Sequence, residues 1–216
     1  MLLDKFRENI NIYELVSSRD RILVGVSGGS DSSALLYCLF KFKVLFRFEL
    51  TALSINYRLR GLDSVRDLES IRNYCKSLGI RFLEVTLNDS ELKLLKKGNL
   101  QENARNYRFN IFRKVMIEHG IKSLALGHNL DDSVETVLMN IFRGCSSRGL
   151  IGIPPESVFP GDSTLRVIRP LFNISKCEIL DFCIEEKIPF RTDKSNLSND
   201  YLRNRLRNRL IPAIQE

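Results

Sequence analysis

Two short stretches concentrate residue types that could do chemistry. The first is VSGGSDSS, Val26 to Ser33, where Gly28 and Gly29, the hydroxyls of Ser27, Ser30, Ser32 and Ser33, and one acid, Asp31, fall together. Glycines let a backbone approach an anion closely, and successive N–H groups opening a helix favour phosphate. No Gly-Lys-Ser/Thr follows, so this is not a Walker A loop, and phosphate charge must be met by backbone donors, a metal and arginines from elsewhere. Asp31 then reads as a Mg²⁺ ligand, since an acid beside bound phosphate would otherwise repel it. The second stretch is GHNLDDSVE, Gly127 to Glu135, with His128 followed by Asp131, Asp132 and Glu135. Asp132 and Glu135 are three apart on one helix face, a carboxylate pair able to bind a cationic group or a metal.

Each stretch has rival readings. Gly25-Val26-Ser27-Gly28-Gly29 also satisfies G-x-S-x-G, the elbow of serine hydrolases with Ser27 as nucleophile. Order argues against it: the elbow follows the first strand of the chain, and both histidines, His119 and His128, lie mid-chain with none late enough for a triad base. A plain strand-to-helix turn remains open for the loop. For the acids, Asn129 or Asp131 could cap a helix, and acids in a first turn are favoured by the helix dipole alone. His128 could equally be a core histidine.

The elements that must position these residues follow from hydrophobic pattern. Ile22 to Val26, Leu50 to Ile55, Arg81 to Val85 and Ile121 to Gly127 read as strands, and residues 2 to 17, Ser33 to Phe42, Ser64 to Leu78, Gln101 to His119 and Asp131 to Phe142 as helices. NDSELKLLKKGN reads as a loop with a helical turn, IPPESVFPGDST as the main irregular segment, and Ile174 to Lys187 and Tyr201 to Ile211 as late helices. Strands alternating with helices of ten or more residues imply βαβ units, hence a Rossmann-like α/β fold with a parallel sheet flanked by helices. In such a sheet the carboxyl ends of the strands share one rim, so the two stretches are expected to face each other across the crevice where ligands bind.

At 216 residues and 44% apolar, the chain suits one domain with a short appendage. No apolar run approaches the roughly 20 residues of a membrane span, and the opening MLLDKFRENINIYELV alternates charge with apolar residues, so the expected location is cytoplasmic. The five cysteines contain no CxxC pair, which argues against a disulfide framework or a zinc site. The net charge of +7 is concentrated late, in LRNRLRNRL, Leu202 to Leu210. There Leu202, Leu206 and Leu210 form one apolar stripe and Arg203, Arg205, Arg207 and Arg209 cover the remaining surface, a solvated amphipathic helix or a contact for RNA phosphate. Arg105 and Arg108 are further phosphate candidates.

Taken together, SGGSDS (27–32), NLQENARNYRF (99–109), GHNLDDSVETVLMNIFRG (127–144), GLIGIPP (149–155), RPL (169–171) and DKSNLSNDYLRNRLRNRLIP (193–212) resemble the tRNA(Ile)-lysidine synthetase family of the N-type ATP pyrophosphatase, or PP-loop, superfamily. SGGxDS alone marks the superfamily, which also holds tRNA thiolation enzymes, whereas the HxxDDxxET block with the closing RNRLR segment is more specific. The resemblance implies an adenine nucleotide alpha hydrolase-like fold with a nucleotide-binding core over 1–170 and a helical extension over 171–216, without the C-terminal tRNA-binding domains usual in the family. It implies a ligase that uses ATP and Mg²⁺ to adenylate the wobble cytidine of the CAU-anticodon isoleucine tRNA and then joins free L-lysine to it. Ser27, Gly28, Gly29, Ser30, Asp31, Ser32 and His128 would bind ATP, Asp31 would hold the metal, Asp132 and Glu135 would bind lysine, and Arg203, Arg205 and Arg207 would bind tRNA. Asp31, Asp132 and Arg105 would be catalytic, and backbone near Ala52 to Ile55 would read adenine. Where the family tends to show N-H-G-L-R, this chain has Asn56-Tyr57-Arg58-Leu59-Arg60, with Tyr57 at the histidine position. No membrane partner is expected, and a homodimer is left open. The alternatives are a PP-loop tRNA thiolation enzyme, disfavoured by the missing CxxC, and a nucleotide-binding module without catalysis.

Overall fold

The computed structural model describes residues 1–58, 62–191 and 202–215. Strands β1 (Arg21–Gly25), β2 (Glu49–Asn56), β3 (Arg81–Thr86), β4 (Ser123–Ala125), β5 (Glu156–Phe159) and β6 (Asp162–Ile168) form one sheet in the order β3-β2-β1-β4-β6-β5. All neighbours run parallel except β5, which pairs antiparallel with β6. The chain steps outward from β1 to β2 to β3, then returns to lay β4 on the other side of β1. Val24 therefore lies opposite Ala52 on one flank and Ala125 on the other. That reversal of winding opens a crevice beyond the carboxyl ends of β1 and β4, where ligands of open α/β sheets bind.

The central strand shows why the sheet is covered on both faces. Ile22, Leu23 and Val24 are all fully buried, the continuous apolar run of a parallel strand. Alternate residues point to opposite faces. Ile22 and Val24 join a core with α1 (Leu2–Ile12), α2 (Ser30–Phe46), the inner side of α3 (Leu62–Ser77) and α7 (Lys176–Glu185). Leu23 joins a second core against Phe109, Phe112, Val115 and Met116 of α5 (Leu100–Glu118). Among the described residues the remaining α-helices are α4 (Asp89–Leu95), α6 (Leu130–Phe142), α8 (Leu202–Arg205) and α9 (Ile211–Gln215), the last two joined by a π-helical turn, Leu206–Leu210, and a 3-10 turn spans Ser147–Ile151.

Three expectations are corrected. IPPESVFPGDST is not irregular: it supplies β5 and the start of β6, a hairpin that extends the sheet. Its edge strand leaves Val158 exposed and has only Phe159 fully inward, so no apolar run announced it. The opening helix stops at Ile12; Glu14 turns left-handed (φ 47°), which lets Leu15 and Val16 fold back into the core. The polar stretch after β3 forms α4, started by a capping box between Asn88 and Glu91.

Candidate active site

The glycine loop leaves β1 through Val26, whose N–H still donates to Leu53 O at 2.9 Å, and turns at Gly28 with φ +83°, a conformation that favours glycine. Ser32 braces the turn from inside: its Oγ accepts from Ser27 N–H at 3.1 Å and donates to Gly29 O at 3.1 Å. Ser30, Ser32 and Ser33 are buried. Asp31, the first acid of α2, is partly exposed. Both its oxygens accept from Lys176 Nζ, at 2.8 and 2.7 Å, and the same ammonium donates to Ser30 Oγ at 2.7 Å.

The start of α6 meets the loop directly. Asn129 caps the helix in a reciprocal box with Asp132, Asn129 Oδ1 accepting from Asp132 N–H at 3.0 Å and Asp132 Oδ2 from Asn129 N–H at 3.1 Å. The other end of the Asn129 amide donates to Asp31 Oδ1 at 3.2 Å. Gly127 is obligatory here, because a Cβ would lie 2.9 Å from the Asp31 carbonyl carbon and oxygen. Asp131 faces a third helix, accepting from Lys176 N–H at 2.8 Å. The N-termini of α2, α6 and α7 thus converge, and three positive dipole ends favour an anion between them.

Behind this rim lies the acid pair. The Glu135 side chain is completely buried and that of Asp132 is 17% exposed. Arg203 donates from Nε to Glu135 Oε2 at 2.5 Å and from Nη2 to Asp132 Oδ1 at 2.8 Å. Arg207 donates from Nε to Glu135 Oε1 at 2.5 Å and from Nη2 to Asp132 Oδ1 at 3.5 Å. Burial pushes the Asp132 carboxyl above its usual range, Arg203 and the Asn129 N–H pull it back, and Glu135 and Asp31 add to the rise. The two arginines are therefore turned inward onto the acids, while Arg205 is exposed.

Basic groups surround His128. Burial, helped by Arg169, Arg108, Arg203 and Arg105, pushes His128 down to about 3, so its ring is neutral near neutrality, and its Nδ1 has no partner among the described residues. Arg105, whose guanidinium packs 5.4 Å over the Phe109 ring, is lowered by partial burial and then by Arg108 and Arg203. Arg169 anchors β5, donating to Pro154 O at 3.1 Å and Ser157 Oγ at 3.0 Å. Tyr57 packs edge-on against Tyr107 at 6.4 Å. Leu59, Arg60 and the segment 192–201 lie outside the described residues.

Two clefts flank the loop. The larger, about 510 Å³, is lined by Ser27 to Asp31, Lys176, Arg191 and the end of β2. The smaller, about 210 Å³, has an apolar wall of Val26, Leu53, Ile55, Phe112 and Leu126 and is also lined by Ser27, Asp31, Ser32, Tyr57, Arg108 and His128. A flat heterocycle suits the second and a polyanion the first. Lys176 was not foreseen, although a signal existed: Ser175-x-x-Glu178 is a capping box, realised with Glu178 N–H to Ser175 Oγ at 3.3 Å, and a lysine at the first position of a helix opposes the dipole unless an anion is present. Among the described residues no cluster of three or more His, Cys, Asp or Glu side chains could hold a metal by itself, and no helix is long and apolar enough to cross a membrane.

A doubly wound sheet with a serine-glycine loop at its switch point, lacking the Walker lysine and facing an acid-bearing helix start, defines a nucleotide-binding α/β protein of the PP-loop class. A family model described as a PP-loop domain matches residues 3–214, and the chain belongs to that family. Among curated proteins it is similar to the tRNA(Ile)-lysidine synthase of Symbiobacterium thermophilum, 37% identical over all of this chain and 44% of the relative, and to that of Clostridium tetani, 35% identical over all of this chain and 45% of the relative. The chain thus spans less than half the length of these relatives. Among solved structures it resembles the U34-tRNA thiolase NcsA from Methanococcus maripaludis with its [4Fe-4S] cluster, with a TM-score of 0.74 and 20% identity over 96% of this chain and 73% of that one, a likeness of fold.

Proposed function

We propose that this chain is the catalytic part of an enzyme that joins L-lysine to the wobble cytidine of the CAU-anticodon isoleucine tRNA at the expense of ATP. The names of its relatives support this reading, and one geometric observation carries it: Asn129 ties the phosphate-type loop, through Asp31, to the helix that bears Asp132 and Glu135. Adenine enters the smaller cleft beside Leu53, Ile55 and His128, and the triphosphate lies along Ser27 to Ser32 toward Lys176. The cytidine C2 oxygen attacks the α-phosphorus, the bond to the β-phosphate oxygen breaks, and pyrophosphate leaves. The amine of lysine then attacks C2, AMP leaves with its electron pair, and the nitrogen gives up a proton.

The chain's own groups serve the charges of these steps. Backbone N–H groups of the glycine loop, the dipole of α2 and the Lys176 ammonium oppose the charge growing on pyrophosphate. Arg105 faces the phosphates or the adenylate, His128 lines the smaller cleft as a neutral ring, and Asp132 and Glu135 receive the cationic groups of lysine. Asp31 would hold Mg²⁺ once the triphosphate draws Lys176 off its oxygens, and the ion, which binds through one or two carboxylates plus substrate phosphates, would neutralise developing charge. Arg203, Arg205 and Arg207 are the candidate contacts to tRNA phosphate. The reading is tested by incubating the protein with labelled ATP, lysine and tRNA, omitting each in turn. Pyrophosphate release should need ATP and RNA, lysine should enter the RNA, and both Asp31→Ala and Asp132→Asn should abolish lysine transfer while the fold persists. Full transfer by both variants, or sulfur instead of lysine in the product, defeats the proposal.

A further inference from the structure

The acid pair assigned to lysine is already occupied by cations of the same chain. Both Glu135 oxygens accept from arginine Nε groups, Asp132 Oδ1 accepts from both guanidiniums, and Asp132 Oδ2 is taken by the Asn129 N–H. Every oxygen of the pair already has a donor from this chain, and the Glu135 side chain has no exposed surface at all, so an incoming ammonium group must compete with the two guanidiniums. The residues in possession sit on the most basic stretch of the chain, LRNRLRNRL, which contains no acid.

That stretch can be reached from solvent. Arg203 and Arg207 keep 41% and 38% of their side-chain surface exposed, so their outer edges can be reached from solvent, while Arg205 and Arg209 on the same run are exposed. Leu206 is buried beneath it, and the backbone over Leu206–Leu210 is a π-helical turn, a rare geometry that is frequent at functional sites. Guanidinium forks bind phosphate as well as carboxylate.

We propose that Arg203 and Arg207 act as an in-chain stand-in for the cationic substrate, and that RNA phosphates docking on residues 202–210 draw them off Asp132 and Glu135, opening the acid pair to lysine. This rests on the function proposed above. It makes lysine entry conditional on RNA, so the amine meets its acids only when there is an acceptor to modify. Reciprocity requires that lysine strengthen RNA binding by the same factor.

The test is equilibrium dialysis of the wild-type chain with labelled lysine, without ATP, in the presence and absence of saturating anticodon stem-loop RNA carrying the wobble cytidine. RNA should tighten lysine binding by about tenfold or more. In Arg203→Gln/Arg207→Gln, lysine should bind without RNA at least as well as it binds wild type with RNA, the RNA effect should shrink toward none, and the salt slope of RNA binding should fall by about one for each arginine lost. Equal lysine affinity of the wild type with and without RNA, or no lysine binding in either condition, overturns the proposal whether or not the double variant folds. So does a folded double variant that loses lysine affinity in both conditions, which makes the arginines structural. RNA-dependent pyrophosphate release and lysine transfer, measured in parallel, separate the two ideas: transfer without RNA-dependent lysine binding removes only the interlock, and no transfer removes the function.

Discussion

An ammonium group in the first turn of a helix opposes the dipole unless an anion answers it, and Lys176 is answered by Asp31 at 2.7 Å. If a triphosphate takes over that role, Lys176→Met should weaken ATP binding by about tenfold to a hundredfold, the worth of a charge-assisted contact, in a calorimetric titration; unchanged affinity would restrict the lysine to Asp31. His128 makes a second test. Its folded pKa of about 3 lies below the usual 6.5, so between those values the unfolded chain binds the extra proton. The stability held by the neutral ring is therefore complete above the unfolded value and is lost, by about 1.4 kcal/mol per pH unit, as pH falls toward the folded one. Denaturation of His128→Asn at about pH 4 and about pH 7 should show a shallower loss than wild type, and identical pH slopes would contradict the buried neutral ring. Which residues were chemically apt was readable from type and spacing, since Asp31, Asp132 and Glu135 stand beside glycines and helix starts. That Ser32 braces the loop from within, with its hydroxyl bonded to Ser27 and Gly29, was not, because a hydroxyl's target depends on how the turn closes.

Among the elements, the junction of β4 with α6 governs the site. Gly127 lets that junction touch the backbone of Asp31, so Gly127→Ala should force the loop and the acid helix apart. Its expected cost is about 1–3 kcal/mol, as for overpacking against unyielding backbone, seen as a lower urea midpoint, with nucleotide affinity falling alongside. A variant with wild-type stability and affinity would show that the contact relaxes freely. Strand β1 was legible from its unbroken buried apolar run, β2 and β3 from short β-branched and aromatic-rich stretches set between helices, and the long helices from their 3.6-residue repeat. The β5–β6 hairpin was hidden by Pro160 and Gly161 at its turn and by the solvent-facing residues of an edge strand.

For the whole molecule, the winding of the sheet places one cleft on each side of the glycine loop, and a nucleotide spanning both should brace the two cores against each other. A ligand at about a hundred times its dissociation constant adds about 2.7 kcal/mol to the native state, which in a chain of this size raises the thermal midpoint by about 5–10 °C. ATP should produce that shift in a differential scanning experiment, and Asp31→Ala should blunt it; no shift at saturating ATP would remove the nucleotide from the clefts.

Short-range patterning decided by itself the glycine loop, the α/β class, the sheet's central strands and the acid-bearing start of α6, because each depends on neighbours within a few turns of the chain. Only the tertiary structure decided who answers those charges. Lys176 reaches Asp31 across 145 residues, and Arg203 and Arg207 reach Glu135 across 68 and 72. Such pairings are set by which helix ends the burial of apolar surface brings together, and that is a property of the packed cores, not of any local stretch.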